Sequence, residues 1–186
     1  MKKQVIQIVS SLAAVVAVVG LSACTTQKAQ PTTTHVQVTQ QNMYESRGYS
    51  KGILDANGAQ VIHVGQIIQI IVPSDRLFAQ SSANLEPSSK AMLHSISNYI
   101  KTYKTDKIKV SAYTDATIGN GVSQDKAGIA LTSGQAQAVS SYFWSQGIDT
   151  RYIYSKGYGS SDPVASNDSP KGQYDNRRVV ISFQYK

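Results

Sequence analysis

Cysteine occurs once in the 186 residues, at position 24, so neither an intramolecular disulfide nor a multi-cysteine zinc or iron–sulfur site can be built from this chain. Histidine is almost as scarce. Its three copies stand at 35, 63 and 94, too scattered for a catalytic triad or a metal site, and no cofactor is expected. Charge is thin at 16% of residues, and acidic side chains are outnumbered 11 to 18, which sets a formal net charge of +7. With 41% hydrophobic residues the chain can still bury a globular core, which excludes wholesale disorder. The length fits one domain plus a small appendage. Only one apolar run is long, Val5 to Gly20, and Gln7, Ser10 and Ser11 interrupt it. A membrane-spanning helix wants about 20 apolar residues, so this run, behind the basic Met1-Lys2-Lys3, reads as a secretory signal.

The run ends in Leu21-Ser22-Ala23-Cys24, which resembles the bacterial lipoprotein cleavage box. The resemblance implies that residues 1–23 are a signal peptide and that Cys24 becomes a lipidated N-terminus carrying diacylglyceryl and palmitate chains; the alternative is a buried thiol at the end of an N-terminal helix. Removing Lys2 and Lys3 leaves 16 basic against 11 acidic side chains, a net +5. Several acyl chains on one residue, at about 0.8 kcal/mol per buried CH₂, anchor stably where one is marginal. Thr25, rather than Asp, follows the cysteine. By resemblance to lipoprotein sorting in two-membrane bacteria, this implies an outer-membrane anchor with the rest of the chain in the periplasm.

Thr25 to Asn42 is dominated by Thr, Gln and other polar residues, contains Pro31, and has almost no apolar periodicity beyond Val36 and Val38, so residues 24–42 read as a lipidated N-terminus and polar linker. Fully extended, the 19 steps from Cys24 to Met43 reach about 65 Å. After it, Val61 to Val72 predicts a hairpin broken at Gly65-Gln66. Met92, Ile96, Tyr99, Ile100 and Tyr103 predict an amphipathic helix over Ser88 to Tyr103, with His94 toward its polar side. Lys107 to Ala112 alternates as a half-buried strand. A second helix is expected from about Asp125 to Gln146, with Ile129, Leu131, Ala136, Val139, Phe143 and Trp144 as its apolar residues and Gly147 as its stop. Ile153 to Gly157 and the alternating Val179, Ile181, Phe183 and Tyr185 predict two further strands.

From about Leu77 the chain resembles the OmpA-like domain, the module of OmpA C-terminal regions, of the peptidoglycan-associated lipoprotein Pal and of flagellar stator proteins. The matching stretches, in order, are Leu77-Phe78, Ser82 to Pro87, Val110 to Asp115, Leu131 to Ala136, Gly157-Tyr158-Gly159, Pro163 to Asn167 and Asn176 to Val179. The resemblance implies an α+β fold, a βαβαββ two-layer sandwich with two main helices packed on a mixed sheet, here preceded by the hairpin. The domain is expected over 43–186.

It also implies noncovalent binding of peptidoglycan through the diaminopimelate residue of the stem peptide. A carboxylate must meet the ligand's ammonium, and a cation or amide must meet its carboxylate, each bond contributing about 1.5–3 kcal/mol. The expected set is Thr114 and Asp115, Leu131 and Gln135 on the second helix, and Asn176, Arg177 and Arg178 before the last strand. The alternative for Asp115 is a turn or helix cap, and the two roles are compatible. One of the two arginines is expected to meet the ligand, or else to fix the last strand while the other is solvated. Tyr113 either packs over the ligand's hydrocarbon stem or covers the sheet edge. Two departures from the family pattern stand out: Gln135 replaces the arginine of the second helix, and Ala79 replaces the aspartate after Phe78. Glutamine donates a hydrogen bond but forms no charged fork.

Two function classes follow. One is an outer-membrane lipoprotein that binds the cell wall, alone or within an envelope-spanning secretion complex. The other is a scaffold subunit that meets secretion-system core proteins of the type IV class without binding the wall. No enzyme is expected: Ser123 and Lys126 have the Ser-x-x-Lys spacing, but no Ser-Asp-Asn or Lys-Thr-Gly completes that site. No nucleic-acid motif appears, and the export signal argues against that partner.

Overall fold

Ile68, Ile70 and Val72 alternate with half-exposed residues, and this period of two lays down the first pair of strands. Strand β1 (Gln60–Val64) pairs antiparallel with β2 (Ile67–Pro73), and Gly65 at the turn has φ +59°, as a two-residue turn with glycine first requires. The computed structural model of the chain describes residues 34–118 and 122–186. The expected signal peptide, Cys24 and the linker up to residue 33 lie outside the described residues, as does the Gly119-Asn120-Gly121 loop tip.

Strands β3 (Thr105–Tyr113), β4 (Ile153–Gly157) and β5 (Arg178–Tyr185) complete one sheet in the order β1-β2-β5-β3-β4. β3 and β4 are parallel, which requires a crossover, and helix α3 (Val122–Ser145) supplies it. The other pairings are antiparallel. Helix α2 (Ser89–Lys101) contributes Met92, Leu93, Ile96, Tyr99 and Ile100 to the core, α3 contributes Ala136, Val139 and Phe143, and β5 contributes Val179, Ile181 and Phe183. Each large apolar side chain so buried stabilises by about 1.5–3 kcal/mol. The two-layer α+β arrangement with a leading hairpin is the expected one.

Three local expectations change. Residues 34–42 do not continue as a linker: helix α1 (Thr34–Ala56) begins there, and the compact unit runs from Thr34 to Lys186. Its sequence has little apolar periodicity, and contacts with α2 hold it instead. Leu54 is fully buried, the Arg47 guanidinium lies 4.0 Å from the Tyr103 ring centre, and Arg47 Nη2 donates to the Thr102 carbonyl at 2.6 Å. Most helices are held by such packing rather than by propensity. A tether with these residues helical reaches less far, since a helix rises about 1.5 Å per residue.

On α3, Ile129 and Trp144 are exposed, whereas Thr132, Gln135 and Ser140 are buried. Trp144 lies one step, about 100°, round from Phe143, and at Ile129 the helix has passed the sheet and packs on the backbone of Gly159. A short helix α4 (Pro170–Asn176) was also not expected; Ser169 caps it by accepting from Gly172 N at 3.1 Å, with proline in its first turn.

Candidate functional site

Strand β3 leaves the sheet at Tyr113, and its last backbone pairing is to the turn after β4: Thr114 N donates to the Gly159 carbonyl at 2.8 Å, and Tyr158 N to that of Ala112 at 2.9 Å. Helix α3 meets this turn almost backbone to backbone. A Cβ on Gly157 would come within 2.2 Å of Ser133 N, and Thr132 Oγ1 accepts from Gly159 N at 3.0 Å. The glycines of Gly157-Tyr158-Gly159 are therefore packing and turn residues, and Gly159 takes φ +59°.

Just past this junction Asp115 turns inward. Its Oδ1 accepts from Thr117 N at 2.9 Å and from Thr117 Oγ1 at 2.5 Å, while Oδ2 accepts from Arg177 Nη1 at 2.5 Å. The side chain is 1% exposed. Burial pushes this carboxyl upward, but the hydrogen bonds from Thr117 and Arg177 together outweigh it and hold its pKa below the usual carboxylate value. Asp115 is thus both turn cap and ion-pair partner.

Arg177 is placed by the chain on its other side. Ser74 N donates to the Arg177 carbonyl at 2.9 Å, tying the end of β2 to the start of β5, and this brings the next residue, Asp75, alongside the guanidinium. Nε donates to Asp75 Oδ1 at 3.0 Å and Nη2 to Asp75 Oδ2 at 2.7 Å, a two-pronged fork. The Asp75 bonds, with the one to Asp115, outweigh the opposing effect of burial and raise the guanidinium's already high pKa, so it stays charged at any accessible pH.

These groups open on a cleft of about 460 Å³ whose lining includes Tyr113, Thr114, Leu131 and Gln135 besides Asp75, Asp115 and Arg177. Gln135 enters from α3, is 5% exposed, and donates from Nε2 to the Ser82 carbonyl at 2.9 Å. The charged groups in the lining are two carboxylates and one guanidinium, a net charge of −1.

Of the seven expected binding residues, five line this cleft: Thr114, Asp115, Leu131, Gln135 and Arg177. Asn176 and Arg178 do not. Asn176 is fully buried; its Oδ1 accepts from Val164 N and Ala165 N, and its Nδ2 donates to the Ala165 carbonyl and to Asn167 Oδ1. Arg178 is the first residue of β5, whereas Arg177 precedes the strand as the cap of α4, and only Arg177 reaches the cleft. Arg178 is buried, donates to the carbonyls of Asn176 and Asp162, and stacks 4.0 Å from the centre of the Tyr113 ring.

Sequence reasoning missed Asp75, which only the pairing of β2 with β5 brings to the site. Among the described residues no group of three or more metal-binding side chains occurs, and no helix is long and apolar enough to cross a membrane.

A family model described as the OmpA family matches residues 77–177. The chain is 32% identical over 126 residues to the probable lipoprotein YiaD of Escherichia coli strain K12, covering 68% of this chain and 55% of that protein. It is 31% identical over 104 residues to the peptidoglycan-binding protein ArfA of Mycobacterium tuberculosis strain H37Rv, covering 56% of this chain and 30% of that protein. The chain therefore spans about half or less of the length of these relatives. In fold it superposes on the cell wall anchor of the T6SS from Pseudomonas aeruginosa with a TM-score of 0.64 at 22% identity, over 72% of this chain and 92% of that one.

Proposed function

The chain belongs to the OmpA family, and from that premise we propose that its cleft binds peptidoglycan noncovalently through the diaminopimelate end of a stem peptide. One observation carries the reading: Asp75 and Asp115 share Arg177 at the wall of an open cleft, so carboxylate for an ammonium and remaining guanidinium N–H groups for a polar partner stand side by side. Lipidation at Cys24 would hold the other end in the outer membrane, with the domain in the periplasm, making the protein a link between membrane and wall.

A second reading, a scaffold that meets secretion-system core proteins, draws support from the sheet face that faces away from α2 and α3, where Ile62, Val64 and Ile67 are exposed. Sedimentation with insoluble peptidoglycan separates the two. Wall binding predicts that the purified protein pellets with the sacculus and that Asp115→Ala stays in the supernatant; recovery of both proteins in the supernatant favours the scaffold.

A further inference from the structure

The polar groups of the cleft are arranged for a particular charge state of ligand. Arg177 has five N–H groups, and three of them are already committed to Asp75 and Asp115. The lining keeps a net charge of −1 after this pairing. Asp115 is almost fully buried, with three hydrogen bonds to its two oxygens, whereas the Asp75 carboxylate is 42% exposed and accepts only two. The open acceptor is therefore Asp75.

Gln135 adds a further acceptor. The Ser82 carbonyl can only accept, so it fixes the amide with Nε2 toward Ser82, and Oε1 receives no hydrogen bond from the described residues. An arginine at this position would present a cation to the cleft; the glutamine presents a neutral carbonyl oxygen.

A free amino-acid end brings one ammonium and one carboxylate. Its ammonium would suit this site, but its carboxylate would arrive among two carboxylates and an amide oxygen, with a guanidinium already neutralised. Like charges brought together on binding are costly, and selectivity is often set by such repulsion. Resting on the wall-binding reading above, the geometry points to a ligand whose ammonium lies beside a carboxamide: the amidated form of the diaminopimelate end, with Asp75 accepting from the ammonium and Gln135 Oε1 accepting from the amide N–H₂.

Titration calorimetry of the purified protein with three soluble stem tripeptides tests this: free-acid diaminopimelate, its form amidated beside the free ammonium, and the lysine-containing analogue, which has the ammonium and no neighbouring carboxyl group. The amidated peptide is expected to bind about tenfold or more tighter than the free acid, and tighter than the lysine peptide. Gln135→Arg is expected to reverse the order of the first two, and Asp75→Asn to weaken all three. Equal or tighter binding of the free acid by the unaltered protein overturns the inference while leaving wall binding in place. Lysine peptide binding as tightly as the amidated one overturns the role of Gln135. Failure of all three, together with no sedimentation on sacculi, removes the wall-binding reading itself.

Discussion

Arg177 Nη1 donates to Asp115 Oδ2 at 2.5 Å across 62 residues of sequence, and this bond joins the start of the last strand to the turn that leaves β3. Asp115 is 1% exposed and Arg177 30%. Removing the guanidinium leaves a buried carboxylate without its charge partner. Breaking a fully buried pair costs about 3–5 kcal/mol, and the partial exposure of Arg177 reduces this. Arg177→Met is expected to lower stability by about 2–3 kcal/mol in urea unfolding and to abolish peptidoglycan sedimentation even at temperatures where the variant remains folded.

The same carboxylate fixes the acid limb of the stability curve. Its pKa is lower in the folded protein than in the unfolded chain, because the Thr117 and Arg177 hydrogen bonds overcome the cost of its burial. The stabilisation is therefore complete above the unfolded carboxylate value and is lost as pH falls through the folded one. Urea midpoints should hold steady from neutral pH to about 4 and drop below it. Asp115→Asn should start lower and show a shallower drop, and an unchanged slope would remove Asp115 from the account. At the alkaline end, burial and the Tyr103 hydroxyl raise the Tyr99 pKa, so stability is expected to decline above about pH 10, where that phenol ionises in the unfolded chain.

Gly157 tests the seating of α3. A methyl group there would sit 2.2 Å from Ser133 N and 2.5 Å from Thr132 Oγ1, and both belong to the helix that carries Leu131 and Gln135 into the cleft. Gly157→Ala must displace helix backbone, which overpacking data place at about 1–3 kcal/mol, here toward the upper end. Thermal denaturation measures the loss. Because the helix moves relative to Arg177, ligand affinity should fall as well.

The sheet and its two main helices were legible because each carries a clean period: Ile68, Ile70 and Val72 alternate, and Met92, Ile96, Tyr99 and Ile100 recur at helical spacing. Helix α1 was not, since it is held by burial of Leu54 in the core and by contacts of Arg47 with Thr102 and Tyr103 at the end of α2 rather than by a stripe of its own. Five of the cleft residues were legible through their family motifs. Asp75 was not, because nothing in Pro73-Ser74-Asp75-Arg76 marks it apart from the register that lays β2 along β5. The adjacent arginines illustrate the opposite limit: the motif pairs them, but Arg177 caps α4 and lines the cleft while Arg178 opens β5 and is buried against Tyr113.

Leu54→Ala isolates the contribution of α1. The side chain is fully buried at the end of a helix with few other apolar residues, and such truncations cost about 2–5 kcal/mol. Amide hydrogen exchange should show faster exchange through residues 45–56, and β3 should retain its protection if the sheet stands without the helix.

Asn176 separates placement from contact. It is fully buried, and its amide closes four hydrogen bonds to residues 164–167, none of them toward the cleft. Its replacement strands two backbone N–H groups and one carbonyl, each costing about 1–3 kcal/mol when left unpaired, less where water enters. Asn176→Ala is expected to lose about 2–4 kcal/mol of stability, yet at low temperature, with the fold intact, to pellet with peptidoglycan nearly as well as the unaltered protein. Arg177→Met under the same conditions should not pellet. If the two variants lose wall binding equally while both remain folded, Asn176 touches the ligand, and its buried position reflects a cleft that opens when peptidoglycan binds.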